Sequence, residues 1–75
     1  MSNQIFTQYN KKTGKWENKK EGASRVSSTA DTKNEAQNLG KNQAQKEKLE
    51  HVIKNKDGKI AEKNSYGNDP SSIKG

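Results

Sequence analysis

The feature that most constrains the fold is a single well-specified helix signal near the middle of the chain. Thr32 and Glu35 form a capping box, in which the threonine hydroxyl accepts from the amide three residues on and the glutamate reaches back. Asp31 places a negative charge near the positive end of the helix dipole. Downstream, one helical face is occupied, with Gln43 as its polar exception, by Ala36, Leu39, Gly40 and Ala44.

Three of those four residues are small, so the pattern predicts a helix that lies close on a sheet. Gly40 is the most informative of them. A glycine in a helix interior costs about 1 kcal/mol relative to alanine. This cost is tolerable only where the missing side chain permits a close contact, and we therefore predict such a contact at Gly40.

The segments on both sides of the helix have the character of short strands separated by turns. Three strands are predicted before it (4–9, 16–20 and 23–28) and two after it (49–54 and 60–63). Asp57-Gly58 predicts a two-residue hairpin between the last two. The order β-β-β-α-β-β predicts an α+β fold: a small antiparallel sheet with one helix packed across one face. We expect residues 1–63 to form a single α+β domain and residues 64–75 to form a C-terminal tail or loop, either free or packed on the body.

The supply of large apolar side chains is low for a folded domain. Nine of the 75 residues are Ile, Leu, Val or Phe, or 12%, where less than roughly 20% with high charge is typical of disorder. We nevertheless predict a folded protein, because the capping box, the helical stripe and the hairpin signal agree with one another. Trp16 is expected to contribute most to the core, with Phe6 and one tyrosine beside it.

The charge is positive and uneven. The net charge is +6, and residues 1–30 carry six basic against two acidic side chains. Such a cluster attracts polyanions, although solubilisation is an equally open interpretation. Only one of the 15 basic residues is an arginine, which argues against sequence-specific reading of bases. We predict non-specific binding of nucleic-acid phosphates by a lysine-rich hairpin whose contact residues are Lys11, Lys12, Lys15, Lys19, Lys20 and Arg25.

Catalysis is not predicted, and neither is a cofactor or a metal. His51 is the only histidine, cysteine is absent, and the carboxylates show no paired spacing. No apolar run approaches the 18 residues of a membrane span and no signal peptide is recognisable, so we expect a cytoplasmic protein without a membrane partner. It is expected to be a monomer or a homodimer. The alternative function is a protein-interaction module that acts on a host protein through a sheet edge or the Tyr66–Pro70 loop.

Two short segments allow two interpretations each. Gly22–Arg25 either clamps a phosphate or carboxylate, or is a tight turn with Arg25 paired to Glu21 or Asp31. Ser65–Pro70 is either a recognition loop or a segment in which Tyr66 packs on the body of the protein. Because the aromatic side chains are few and are needed in the core, base stacking is a weaker argument for nucleic-acid binding than charge is.

Several blocks of the sequence resemble domain-of-unknown-function family 2188, a group of short bacterial, plasmid and phage proteins. The blocks are Trp16, 20–25 (KEGASR), 31–32 (DT) with 35–36 (EA), 52–53 (VI), 56–60 (KDGKI) and 65–70 (SYGNDP). The resemblance covers about residues 5–75. It implies no activity and no catalytic or binding residues. Two departures stand out, since the first strand is more polar than in the family and Gly40 replaces a larger residue.

Overall fold

The computed structural model describes residues 4–66, which form five strands and one helix. The strands form one sheet in the order β3-β2-β1-β4-β5, and α1 packs on one face of it. The predicted α+β class and the predicted order of elements are confirmed. The elements are β1 Gln4–Asn10, β2 Lys15–Lys20, β3 Ser28–Ala30, α1 Lys33–Glu47, β4 Glu50–Lys54 and β5 Ile60–Ser65.

The sheet is mixed, and the prediction of a purely antiparallel sheet was wrong. β1 and β4 pair in parallel, with Ile5 opposite His51 and Thr7 opposite Ile53. The other three strand pairs are antiparallel. The 15 residues of α1 span about 22 Å, long enough to return the chain along the sheet. β4 therefore starts at the same end as β1, and a crossover of this kind is what a parallel pair requires.

The third strand lies further along the chain than predicted. Only Ser28–Ala30 pair with β2, whereas the prediction was 23–28. The Ala23 amide closes a turn onto the Lys20 carbonyl at 3.1 Å, so the chain bends just after β2. Val26, the one large apolar residue of the predicted strand 23–28, is 36% exposed, and the small Ala30 is buried beneath the helix instead. A close helix leaves room there for alanine but not for valine.

The turn between β4 and β5 is wider than the predicted two-residue hairpin. The Gly58 amide donates to the Asn55 carbonyl at 2.9 Å, and the Asn55 amide donates to the Lys59 carbonyl at 2.8 Å. These bonds enclose a three-residue loop of Lys56, Asp57 and Gly58. Gly58 has a φ of +90°, which only glycine adopts without strain. The glycine signal was therefore informative, but the loop it closes is one residue longer.

The helix begins and packs largely as the sequence predicts. The Thr32 hydroxyl accepts from the Glu35 amide at 3.2 Å, which is the first half of the capping box. The buried residues of α1 are Ala36, Gly40 and Ala44. Leu39 was expected on the same face but is 42% exposed. Because the row i, i+4, i+8 consists of small residues, the helix lies so close to the sheet that a neighbouring leucine is left at its rim.

Within residues 4–66, buried apolar side chains form two clusters. One contains Ile5, Ala44 and Leu49, with Tyr66 packed against it. This contact agrees with one of the two interpretations of Ser65–Pro70, in which Tyr66 packs on the body of the protein, whereas residues 67–70 lie outside the described residues. The other cluster contains Trp16, Ala30 and Ala36, with Tyr9 against it. Within residues 4–66, no helix is long and apolar enough to cross a membrane.

Candidate functional site

Three polar side chains fill the space between the two apolar clusters, directly beneath Gly40. Thr7, Asn18 and His51 come from β1, β2 and β4, and none is more than 1% exposed. The Thr7 Oγ1 lies 2.5 Å from Asn18 Oδ1 and 2.7 Å from His51 Nε2. A methyl group built on Gly40 would meet all three side chains at 2.5–2.8 Å. The close contact predicted at Gly40 is therefore with this polar centre.

The hydrogen bonds of the polar centre fix the protonation of His51. The Asn18 amide nitrogen donates to the Ala36 carbonyl at 2.9 Å and to the Ser28 hydroxyl at 3.1 Å, so its oxygen faces Thr7. Thr7 has one hydroxyl proton and donates it to that oxygen. The hydroxyl must then accept from His51, which places a proton on Nε2 and leaves Nδ1 as an acceptor.

This arrangement connects strands and does not activate a nucleophile. A histidine that accepts a hydroxyl proton would need a free lone pair on the nitrogen facing the hydroxyl, and Nε2 carries a proton. His51 Nε2, the Thr7 hydroxyl and both polar atoms of the Asn18 amide have hydrogen-bond partners, as buried polar groups require. Among residues 4–66, no three histidine or acidic side chains are grouped to hold a metal ion.

Stability should fall as the pH is lowered through the titration of His51. Burial lowers the pKa of the imidazole below its usual 6.5, and the nearby Glu62 carboxylate opposes that shift. The folded state then prefers the neutral ring, so its stability is complete above about pH 7 and declines as the pH falls below 6.5. Urea unfolding at about pH 7.5, 6.5 and 5.5 would measure the decline.

The matched control for this prediction is His51→Gln, whose amide can still donate to Thr7 but does not titrate. The wild-type protein should lose more stability than this variant between the two extremes of pH. Equal losses would show that His51 does not contribute to the pH dependence.

The face of the sheet opposite the helix is covered by no element of residues 4–66, and we call it the open face. Ile5 and Thr7 point toward the helix, so Phe6 between them points to the open face. Lys19 is the cross-strand partner of Phe6 on β2 and Val52 is its partner on β4. Phe6 was expected in the core, and this was wrong, because the alternation of β1 assigns the helix side to Ile5 and Thr7.

A concavity of about 270 Å³ lies over Phe6 on the open face. Its floor is formed by Phe6 and Gln8, and its sides by Lys19, Lys54 and the turn 20–23, which includes the acidic Glu21. The Lys54 ammonium lies 4.8 Å from the centroid of the Phe6 ring, within the range of a cation–π contact. Neither Lys19 nor Lys54 forms an ion pair with an acidic side chain of residues 4–66.

The six predicted contact residues do not form one patch. β2 separates Lys15 from Lys20 by five residues, or about 17 Å, and of the six only Lys19 and Lys20 line the concavity. Lys11 and Lys12 are exposed in the turn at one end of the sheet, and Arg25 is exposed in the loop at the other. Two of the lysines bind carboxylates, since Lys15 lies 2.7 Å from Asp31 and Lys20 lies 3.0 Å from Glu47.

These ion pairs change the ionisation of their members. The hydrogen bond from Lys15 lowers the pKa of Asp31, and the same bond raises the pKa of Lys15. The pKa of Glu47 is lowered mainly by the Lys20 hydrogen bond and then by Gln43. Because Asp31 is taken by Lys15, it is not the partner of Arg25. The cations best placed for an external anion are therefore those that contact no acid.

A family model described as "Uncharacterized protein conserved in bacteria (DUF2188)" matches residues 5–66 of the chain. The chain belongs to this family. The match begins in β1 and ends just after β5, so membership in DUF2188 covers the fold described above and confirms the resemblance of the sequence. Neither a search of curated proteins nor a search of solved structures found a match.

The family description names no activity or ligand, so the DUF2188 fold has to be interpreted from its own geometry. Sequence reasoning missed Phe6 and Lys54 as members of the open face. The signal was present in β1, where the alternation of Ile5, Phe6 and Thr7 puts Phe6 opposite its neighbours. What was missing was the knowledge of which face the helix covers.

Proposed function

We propose that this protein binds nucleic acid through the open face, without sequence preference. The observation that carries the proposal is the concavity over Phe6, where Lys19 and Lys54 have no acidic partner among the described residues. Two such ammonium groups beside an aromatic ring suit a ligand that combines phosphates with flat bases. This moves the expected contact surface from the lysine-rich hairpin to the sheet.

The turns at one end of the sheet extend this positive surface. Because β1 and β4 are parallel, the β1–β2 and β4–β5 turns lie side by side, and a cleft of about 540 Å³ separates them. Three lysines and two acids line that cleft, namely Lys11, Lys12, Lys56, Glu17 and Asp57. The Lys56 ammonium lies 4.9 Å from the Tyr9 ring centroid. Phosphates that continue beyond the concavity would meet these lysines. Lysines make point contacts with phosphates and do not read guanine in the bidentate manner of arginine.

Charge reversal on the open face should weaken binding far more than the same reversal on the helix. Lys19→Glu with Lys54→Glu removes the two unpaired cations at the concavity. Lys41→Glu with Lys46→Glu is the matched control, because it produces the same net charge on exposed residues of α1. We expect the first pair to lower the affinity at least about tenfold at roughly 50 mM salt and the control pair to lower it about twofold.

The measurement is fluorescence anisotropy with labelled random-sequence oligonucleotides at several salt concentrations. With about 3–5 phosphates contacted, the log–log salt slope for duplex DNA should be about −3 to −4.5, and Kd at physiological salt should be about 10⁻⁴–10⁻⁶ M. Circular dichroism would verify that all variants are folded. Absence of binding at about 50 mM salt, or equal losses in both charge-reversed pairs, would exclude this function.

The second candidate is a protein-interaction module that uses the β5 edge. β5 is the last strand of the sheet, and Ile60 at its start is 60% exposed. An exposed strand edge can pair with an extended segment of a partner, although Lys63 in the middle of β5 disfavours such pairing. This candidate would be favoured if the protein captured a bacterial protein, if that binding persisted after nuclease treatment, and if it were lost in Lys63→Pro.

A further inference from the structure

We infer that the form of nucleic acid bound by the open face is single-stranded, with one base stacked on Phe6. This inference rests on the proposed function and specifies its ligand. It depends on three features of the open face: the position of the Phe6 ring, the side of the ring that is accessible, and the shape of the concavity around it.

Phe6 occupies the middle of the sheet, because β1 is the third of the five strands. Its neighbours across the strands are Lys19 and Val52. An aromatic ring in this place, with a lysine beside it, is surrounded by sheet surface on both sides. A nucleotide strand that crosses the sheet would therefore pass over the ring while its phosphates lie near the flanking lysines.

The accessible side of the ring is its π face. The Lys54 ammonium lies above the ring, 4.8 Å from the centroid. The ring face that points away from the sheet is therefore open to contact by a surface side chain. A lysine side chain is long and flexible, and its ammonium can move from the ring to a phosphate. A base can then take the place above the ring, where stacking does not depend on which base it is.

The shape of the concavity favours an unpaired base over a duplex. The turn 20–23 forms a wall beside the ring, and Gly22 in that turn carries no side chain. Gln8 on the floor offers an amide that can bond the edge of a base. In a duplex the bases are stacked and paired, so only phosphates and sugars would approach Phe6, and a phenyl ring gains nothing from them. A single strand can turn a base outward into the concavity.

A purely structural role for Phe6 makes a different prediction. Val52 beside it is only 1% exposed on the open face, so Phe6 could serve as an apolar cover for Val52. A leucine at position 6 keeps an apolar cover of similar size but removes the π face. Phe6→Leu therefore separates stacking from packing.

The experiment compares a 12-nucleotide single strand with a duplex of the same length, at about 25 mM salt, by anisotropy. The proteins are the wild type, Phe6→Leu and the variant with Lys19→Glu and Lys54→Glu. We expect the wild type to bind the single strand more tightly. Phe6→Leu should lower the single-strand affinity roughly 5- to 150-fold, the range expected for one stacked base, and should change duplex binding by less than about twofold.

A second variant protects the test against a folding defect in Phe6→Leu. Phe6→Trp keeps an aromatic face and adds a fluorophore to the open face, whereas Trp16 is buried on the helix side. Titration with the single strand should quench the new tryptophan, and titration of the wild type should leave its fluorescence nearly unchanged.

The outcomes distinguish the two proposals. The single-strand inference would be overturned if the wild type bound the duplex more tightly. It would also be overturned if Phe6→Leu changed the affinities for the single strand and the duplex by the same factor, or if the single strand did not quench Phe6→Trp. In each of these cases a loss of binding on charge reversal at Lys19 and Lys54 would keep the proposed function. Absence of binding to either oligonucleotide would overturn both.

Discussion

Replacing Trp16 with alanine is expected to unfold the domain. Trp16 is 6% exposed and belongs to the cluster with Ala30 and Ala36, and its ring centroid lies 5.2 Å from that of Tyr9. Truncation of a buried tryptophan costs about 3–5 kcal/mol. A domain of this size has a stability of about 4–11 kcal/mol, at 0.05–0.15 kcal/mol per residue. The loss therefore removes a large share, or all, of the free energy of unfolding.

Urea unfolding monitored by circular dichroism would measure this loss, with an amide correlation spectrum as the test of folding. Val26→Ala is a suitable control, because Val26 is an apolar side chain that is 36% exposed and its truncation should cost well under about 1 kcal/mol. A Trp16→Ala protein with a well-dispersed spectrum and a nearly unchanged unfolding midpoint would contradict the assignment of Trp16 to the core.

Replacing Gly40 with alanine is expected to destabilise the protein although alanine is the better helix former. The propensity gain is about 1 kcal/mol. The new methyl group, however, would lie 2.5 Å from Asn18 Oδ1, 2.7 Å from His51 Nε2 and 2.8 Å from Thr7 Oγ1. Thr7 Oγ1 is hydrogen-bonded to each of the other two atoms, so none of the three can move away without losing a buried hydrogen bond. Overpacking of this kind typically costs about 1–3 kcal/mol net.

The control for Gly40→Ala is Asn42→Ala, an exposed position in the same helix where alanine should stabilise by a few tenths of a kcal/mol. Chemical denaturation of both variants gives the two changes in the free energy of unfolding, provided that its dependence on denaturant concentration has the same slope as in the wild type. An increase in stability of about 1 kcal/mol in Gly40→Ala would mean that the helix does not lie as close to the polar centre as the structure shows.

The polar centre also explains why the strands keep their register. Thr7, Asn18 and His51 meet only when β1, β2 and β4 are aligned as they are. A slip of one residue in any of these strands would turn its polar side chain to the open face. Each side chain that bonded the displaced one would then lose a hydrogen-bond partner in a buried environment, at about 1–3 kcal/mol for each unsatisfied group. In a core with few large apolar residues, such a network adds specificity that packing alone supplies weakly.

The sequence alone determined the features that depend on neighbouring residues. The capping box at Thr32 located the start of the helix, because its hydrogen bond joins residues only three apart. Gly58 located the last turn, since its φ of +90° is a property of one residue. The alternation in β1 and the small row on α1 are also local patterns. From these followed the α+β class, the order of elements and the burial of Trp16.

The tertiary structure alone decided what depends on residues far apart in the chain. The polar centre joins positions 11 and 44 residues apart, and the ion pairs that occupy Lys15 and Lys20 join positions 16 and 27 residues apart. No local preference specifies such pairs. They depend on the route of the chain after the helix, which made β4 parallel to β1, and on which face of the sheet the helix covers. That choice of face buried Ile5 and Thr7 and left Phe6 on the open face, because successive side chains of a strand point to opposite sides.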